Sequence, residues 1–336
     1  MSIEIIDNQA DFQDLRAQWN KLLTNSASHV PFLRHEYLTS WWQTKGGGEW
    51  EEGDLNLLIA RSDERKITGI APFFHHQDRL LLLGSHQISD YLDFISPNQH
   101  LETFLQQTLN HLEKETTLSW KTLDLYNLLE SSPSLPLLQK EANDRQWKYT
   151  QERIHPAPLL KLPDSWEAYL SNLESRYRHE IERKIRRAEG YFLPVDWYIV
   201  EDEDQLDDEV SSFLELMAYN QEKADFLTDT MACQMRKAIH HAFQEGWLQL
   251  SFLTVGDIKA AGYLNFDFQN RLWIYNSGLN PMFENISPGW VLLGYLIEWA
   301  IDHQREAVDF MRGSETYKYQ LGGEDRHVVR STITRG

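Results

Sequence analysis

One cysteine, Cys233, in 336 residues excludes an intramolecular disulfide and any zinc cluster built from cysteines. Long hydrophobic runs are missing too: stretches such as Leu80–Leu83 fall far short of the ~18 apolar residues that a membrane-spanning helix needs. The opening residues, MSIEIIDNQADF, hold acids where a secretory signal would hold Lys or Arg. Positive charge is scarce overall. The 32 Lys and Arg stand against 51 Asp and Glu, a net −19 that speaks against broad, salt-driven binding to nucleic acid. These shortages predict a soluble, cytoplasmic protein with no membrane span and no DNA partner, its acidic surface keeping it in solution.

Apolar residues, by contrast, make up 41% of the chain and aromatics 12%, ample for real cores, and the length predicts about two domains. An internal repeat then decides the architecture. Residues 55–84 (LNLLIARSDERKITGIAPFFHHQDRLLLLG) read as strand, turn, strand, turn, strand, and residues 248–278 (LQLSFLTVGDIKAAGYLNFDFQNRLWIYNSG) repeat that grammar. In both, a glycine (Gly69, Gly262) sits early in the middle strand and an arginine (Arg79, Arg271) opens the third. Ile95-Ser96-Pro97 then precedes a helical pattern and a strand-like KTLDLYNL (121–128). Ile286-Ser287-Pro288 precedes a helical pattern and EAVDFMRG (306–313). The offset stays near 185–193 residues.

Five landmarks in one order predict two copies of an α/β unit, 1–155 and 156–336, joined through irregular chain at HPAP (155–158) and LPDS (162–165). Each copy is an antiparallel hairpin run followed by a β–α–β crossover that makes its flanking strands parallel. Helices are expected over Asp11–Leu23, with Phe12, Leu15, Trp19, Leu22 and Leu23 on one face, and over His35–Trp42. Another should run from Trp166 towards Glu189, capped by Ser165 or Asp164 and stopped at Gly190. The acidic run 201–209 reads as a solvated loop and helix start, not a metal site.

At this point the chain resembles a known family. Two hairpin-rich units with crossovers are similar to a tandem GNAT (GCN5-related N-acetyltransferase) fold, of the CelD-type, FemAB-like branch. The stretches that carry the resemblance are FLRHEYLTSWW (32–42), the 69–74 strand, LGSHQISDYLDF (83–94), YRHEIERKIRRAE (177–189), WIYNSGLNP (273–281), SPGWVLLGYLIEWA (287–300) and DFMRGSETYKYQLG (309–322). The resemblance implies an α/β (α+β) chain of two tandem units and an acyltransferase. Its implied co-substrate is acyl-CoA, without a metal, and the acceptor is an amine or hydroxyl on a small molecule, sugar or peptide. Single-domain members typically hold the pyrophosphate with an Arg/Gln-x-x-Gly-x-Gly/Ala loop. Here that loop has only Gly289, which is closer to the FemAB-like pattern. A FemAB-like transferase using aminoacyl-tRNA is therefore the first alternative, and a non-catalytic binding module on the same fold is the second.

The candidate site residues follow from the chemistry. Ser287 suits a helix N-cap, Pro288 the first turn, and Gly289 keeps the approach to free amides open, so this turn can receive a phosphate. Its first-half counterpart, Ser96-Pro97, lacks the glycine, which places the donor in the second half. Trp290 and Tyr275, within the family-like stretches, join the donor set. Arg176, Arg178, Arg183, Lys184, Arg186 and Arg187 face only Glu180 and Glu182 within twelve residues, and on a helix Arg183 and Arg187 project away from the apolar face to meet a phosphate. Direct acyl transfer also needs a base, a polarised carbonyl and a proton for the leaving group. Asp90 and Asp93 are candidates to bind or deprotonate the acceptor. Lys318, expected just after a strand, is the candidate oxyanion partner, with Tyr317 or Tyr319 as proton donor and Arg312–Glu315 as a structural pair. No G-x-S-x-G, H-E-x-x-H or P-loop pattern occurs. The adjacent pairs His75-His76 and His240-His241 point apart, and Cys233 reads as a buried helix residue.

Overall fold

A computed structural model describes residues 2–115 and 118–335. They form two compact units, one of residues 1–156 together with 326–336, the other of 157–325. The second unit therefore ends earlier than the expected 156–336, because the last strand of the chain joins the first unit's sheet.

The first unit has strands β1 (Ser2–Ile6), β2 (Asp54–Arg61), β3 (Ile67–His76), β4 (Arg79–Leu82), β5 (Thr122–Leu129) and β6 (Lys148–Pro156). Its helices are α1 (Gln9–Asp14), α2 (Arg16–Thr24), α3 (His35–Gln43), α4 (Lys45–Gly48), α5 (Asn98–Lys114) and α6 (Ser134–Asp144). The helix expected over 11–23 thus runs as two pieces, yet its apolar face is as read: Phe12, Leu15, Trp19, Leu22 and Leu23 are all buried.

The second unit has β7 (Leu159–Lys161), β8 (Val195–Ile199), β9 (Leu248–Val255), β10 (Ile258–Phe268), β11 (Arg271–Leu279) and β12 (Ala307–Asp309). Helices α7 (Trp166–Asn172), α8 (Ser175–Glu189), α9 (Leu206–Ala218), α10 (Gln221–Phe226), α11 (Asp229–Gln244), α12 (Pro288–Asp302) and α13 (Thr316–Gln320) flank them. Ser165 caps α7 as expected, its Oγ accepting from the Ala168 amide at 3.1 Å. The chain breaks before α8, so 166–189 is two helices. The last strand, β13 (His327–Thr334), lies between β5 and β6 in the first sheet, antiparallel to both.

The first sheet has the order β1-β2-β3-β4-β5-β13-β6 and the second β7-β12-β11-β10-β9-β8. Within them β2-β3-β4-β5 and β9-β10-β11-β12 repeat one arrangement: two antiparallel steps, then a parallel step (β4–β5, β11–β12) reached through a crossover helix, α5 or α12. The repeat holds in strand order, but its glycine landmarks are not equivalent. A Cβ on Gly69 would lie 2.3 Å from the Phe104 ring of crossover helix α5. Gly262 instead faces Phe252 and Phe213, a residue of α9, while its neighbours Ala261 and Tyr263 pack in the core with α12. Successive strand residues face opposite sides, so the two glycines relieve different contacts.

The two copies also differ where the parallel strands part. In the first unit β4 has four residues, and the connection after it folds back: Leu92 N donates to Asn127 O, and Ile95 exchanges backbone hydrogen bonds with Ile70. Tyr91, Leu92 and Phe94 are buried there, so the chain itself fills the gap. In the second unit β11 is nine residues long and outruns its partner. Among the described residues, no helix is long and apolar enough to cross a membrane.

Candidate functional site

β11 pairs with β12 only from Arg271 to Trp273. Beyond that point it continues alone on that edge, with a register shift against β10 that leaves Tyr275 as the extra residue of a bulge. Where the strands part, a cleft of about 590 Å³ opens between β11, the α9–α10 segment and the start of α12, a size typical of a small-molecule site. Gly278 lets α9 approach β11 closely, since a Cβ there would lie 2.5 Å from the Met217 amide nitrogen.

Ser287, Pro288, Gly289 and Trp290 line this cleft, so the donor turn lies at it. Its geometry differs from the expected cap. Ser287 is left-handed (φ 55°, ψ 56°), a costly conformation for a residue with a Cβ, and its side chain makes no capping bond. Its Oγ accepts instead from Lys184 Nζ at 3.3 Å, and that ammonium also lies 4.4 Å from the centre of the Trp290 ring. The amides of Trp290 and Val291 both donate to Ser287 O, whereas the Gly289 amide has no acceptor among the described residues. One open amide, a positive helix end and a half-buried ammonium therefore meet here. Burial holds Lys184 below the usual lysine range, with the Glu180 carboxylate working against that shift.

The wall from the chain's last third brings Tyr317 to the cleft, beside Tyr263 of β10. Burial pushes both phenols well above the usual tyrosine range, and Glu315 adds to the effect at Tyr317. Both stay protonated at neutral pH, as donors rather than bases. Lys318 is placed differently from its expected position. It sits in the short helix α13, not after a strand, and adjacent helical residues point about 100° apart. With only 3% of its surface exposed, Lys318 does not line the cleft. Its Nζ donates to Arg312 O (2.7 Å), lies 2.9 Å from the Glu315 carboxylate and reaches Met311 O at 3.4 Å, so it fastens the 311–315 turn. Glu315 thus pairs with Lys318.

Other nominated residues lie elsewhere. Arg183 forms a forked contact with Glu180 at 2.8 Å, and Arg187 donates to Asn285 O at 3.0 Å; neither lines the cleft. Tyr275 stacks on Phe266, ring centres 5.4 Å apart, and is not part of the cleft lining. Asp90 and Asp93 belong to the first unit and are buried. Asp93 accepts from Ser132 Oγ (2.5 Å), Ser134 Oγ (2.7 Å) and the Phe94 amide (2.8 Å), a closed set that leaves no room for an acceptor. Burial raises its pKa, with these donors opposing. Cys233, expected inside, is exposed on α11. Among the described residues, no group of three His, Cys, Asp or Glu could hold a metal ion.

The sequence reading missed Lys223, Tyr263 and the particular placement of Lys184. Lys184 carried a usable signal: it is three residues after Ile181 and four before Ala188, on the face that α8 buries. Lys223 carried none, because only the tertiary approach of α10 to β11 brings it to the cleft.

Comparison with known proteins agrees with this geometry. Residues 175–319 match a family described as acetyltransferase (GNAT) domain. The second unit is a GNAT domain. Around it, the tandem fold is that of FemX, which superposes with a TM-score of 0.67 at 10% identity over 98% of this chain and 97% of that one. The same fold occurs in the C-terminal domain of a putative lysylphosphatidylglycerol synthetase from Agrobacterium fabrum (TM-score 0.59, 8% identity, covering 98% and 93%). A conserved protein of unknown function from Bacteroides thetaiotaomicron is similar as well (TM-score 0.63, 13% identity, covering 99% and 100%). No curated protein sequence matches the chain. The cleft lies within the GNAT-matched segment, between residues 216 and 317.

Proposed function

We propose that the GNAT unit transfers an acyl group from acyl-CoA to an amine or hydroxyl by direct attack, without a metal. The acceptor is a small molecule, sugar or peptide. One observation carries this reading: the cleft where β11 leaves β12 joins a helix N-terminus and its nearby ammonium to two protonated phenols. The Gly289 amide and Lys184 supply what a phosphate of the donor needs, a free donor and a positive charge. Tyr317 supplies the acid. As the acceptor nitrogen or oxygen bonds to the thioester carbonyl and the C–S bond breaks, the phenol gives its proton to the departing sulfur. The proton released by the acceptor restores the phenol, so the step balances. Lys318 supports this chemistry by holding the turn that presents Tyr317, and the open side of the cleft leaves room for an acceptor.

Titration of the intact protein with acetyl-CoA tests the donor. Gly289→Val should weaken that binding at least tenfold with little change in stability, because the new Cβ, 2.8 Å from Leu279 Cδ2, displaces only a flexible, exposed side chain. Tyr317→Phe should leave donor affinity intact and lower kcat by about 10²-fold, within the range expected for loss of a positioned acid. Unchanged affinity in Gly289→Val would count against the donor turn. Binding of charged tRNA with a log–log salt slope of roughly −0.7 per phosphate contact would instead favour the FemAB-like donor. Failure to bind either donor would leave a non-catalytic module.

A further inference from the structure

The α9–α10 wall of the cleft carries a cation that the acyl-transfer reading leaves without a role. Lys223 is half-buried on the short helix α10 and lines the cleft. Its Nζ donates to Asn276 Oδ1 at 2.9 Å and to Ser277 O at 2.5 Å, both on the unpaired edge of β11. Both partners are neutral. Among the described residues no carboxylate lies within 4.0 Å of this ammonium, and Glu315, the carboxylate that acts on it from further off, is already held by Lys318. The two hydrogen bonds fix the direction of Nζ but leave its charge uncompensated in a partly dry wall, an arrangement that favours an incoming anion. Tyr263 adds a second donor to the same cleft. It is 5% exposed, and its hydroxyl has no partner among the described residues.

We infer that Lys223 is a specificity-determining residue that receives a carboxylate of the substrate, with a phenol hydroxyl of the same cleft as its companion. The inference rests on the acyltransferase reading and narrows its substrate class. A carboxylate can enter on the donor, as a dicarboxylic acyl group, or on the acceptor, as an amino acid. Isothermal titration of the intact protein separates the two. One arm compares succinyl-CoA with acetyl-CoA. The other compares L-amino acids with their amides in the presence of coenzyme A. One arm should show a preference of tenfold or more for the carboxylate. That preference should shrink to within about twofold in Lys223→Met, and equally in Lys223→Gln, which keeps a donor for Ser277 O in case the methionine variant folds poorly. Lys223→Arg should retain part of it. Equal affinity for charged and neutral ligands in both arms, no binding in either, or a preference that survives both neutral variants overturns the inference. Should acetyl-CoA and succinyl-CoA fail to bind while a Lys223-dependent preference for amino acids persists, the donor assignment falls and this inference stands.

Discussion

Two lysines illustrate how little a residue type says before its ammonium has neighbours. Lys318 was legible as special because it lies in the most family-like stretch, 309–322, but its role was misread. A strand would have aimed it at the site; the five-residue helix α13 aims Tyr317 there and turns Lys318 inward. Lys318→Met should therefore cost stability as well as turnover, unlike an oxyanion residue reaching from an exposed strand end. Removing its ammonium leaves Arg312 O without its 2.7 Å donor, and an unsatisfied buried acceptor typically costs about 1–3 kcal/mol. Chemical denaturation checks this; an unchanged midpoint would return Lys318 to a purely chemical role. Lys184 lies within the basic run, where the outward-pointing Arg183 and Arg187 are the more obvious partners for a phosphate. In the protein those two contact Glu180 and Asn285, and the lysine on the inner face reaches Ser287.

Elements were read better than residues. Apolar periodicity found β2–β5, β9–β12 and helices around them, because burial of one face is written in local spacing, but it left β1, β6, β7, β8 and β13 unread. It erred where a short break costs little, between α1 and α2 and between α7 and α8. It gave no sign that Asp90 and Asp93, the candidates for binding the acceptor, are buried, since the hydroxyls that seal Asp93 come from residues 132 and 134, far along the chain. That sealed carboxyl has a measurable signature. Its folded pKa lies above the unfolded value of about 3.9, so between those two values the folded state holds more protons than the unfolded one. Stability must then fall as pH rises from about 4 through the folded pKa, and flatten above it. Asp93→Asn should fold and lose that downward slope. Denaturant midpoints measured from pH 4 to 8 test it; an identical slope in the variant would mean another group titrates.

On the scale of the whole chain, the repeat gave the order β2-β3-β4-β5 and β9-β10-β11-β12 within the two sheets, because hairpins and crossovers leave local marks. It could not give the boundary. β13 follows the second copy in sequence yet pairs with β5 and β6, and pairing between strands about 200 residues apart leaves no pattern in either segment. A fragment of residues 157–325 should accordingly keep cooperative unfolding. The full chain truncated after Asp325 should lose the first unit, since the interior strand that joins β6 to β5 is gone. Circular dichroism and thermal melts of the two proteins decide the point. Retention of both transitions in the truncated chain would show β13 to be dispensable.

The place of β13 also sets an order of events during synthesis. When β6 leaves the ribosome, β5 still has one bare edge and β6 has no neighbour to bind, because the strand that joins them has not been made. At about 5–20 residues per second, the intervening second unit takes roughly ten to thirty seconds to appear. The GNAT unit has every strand of its own sheet before the first unit does, although it is encoded later. The N-terminal sheet waits half-built through that interval, with β5 open to any passing strand, and this is the period in which a chaperone has most to protect.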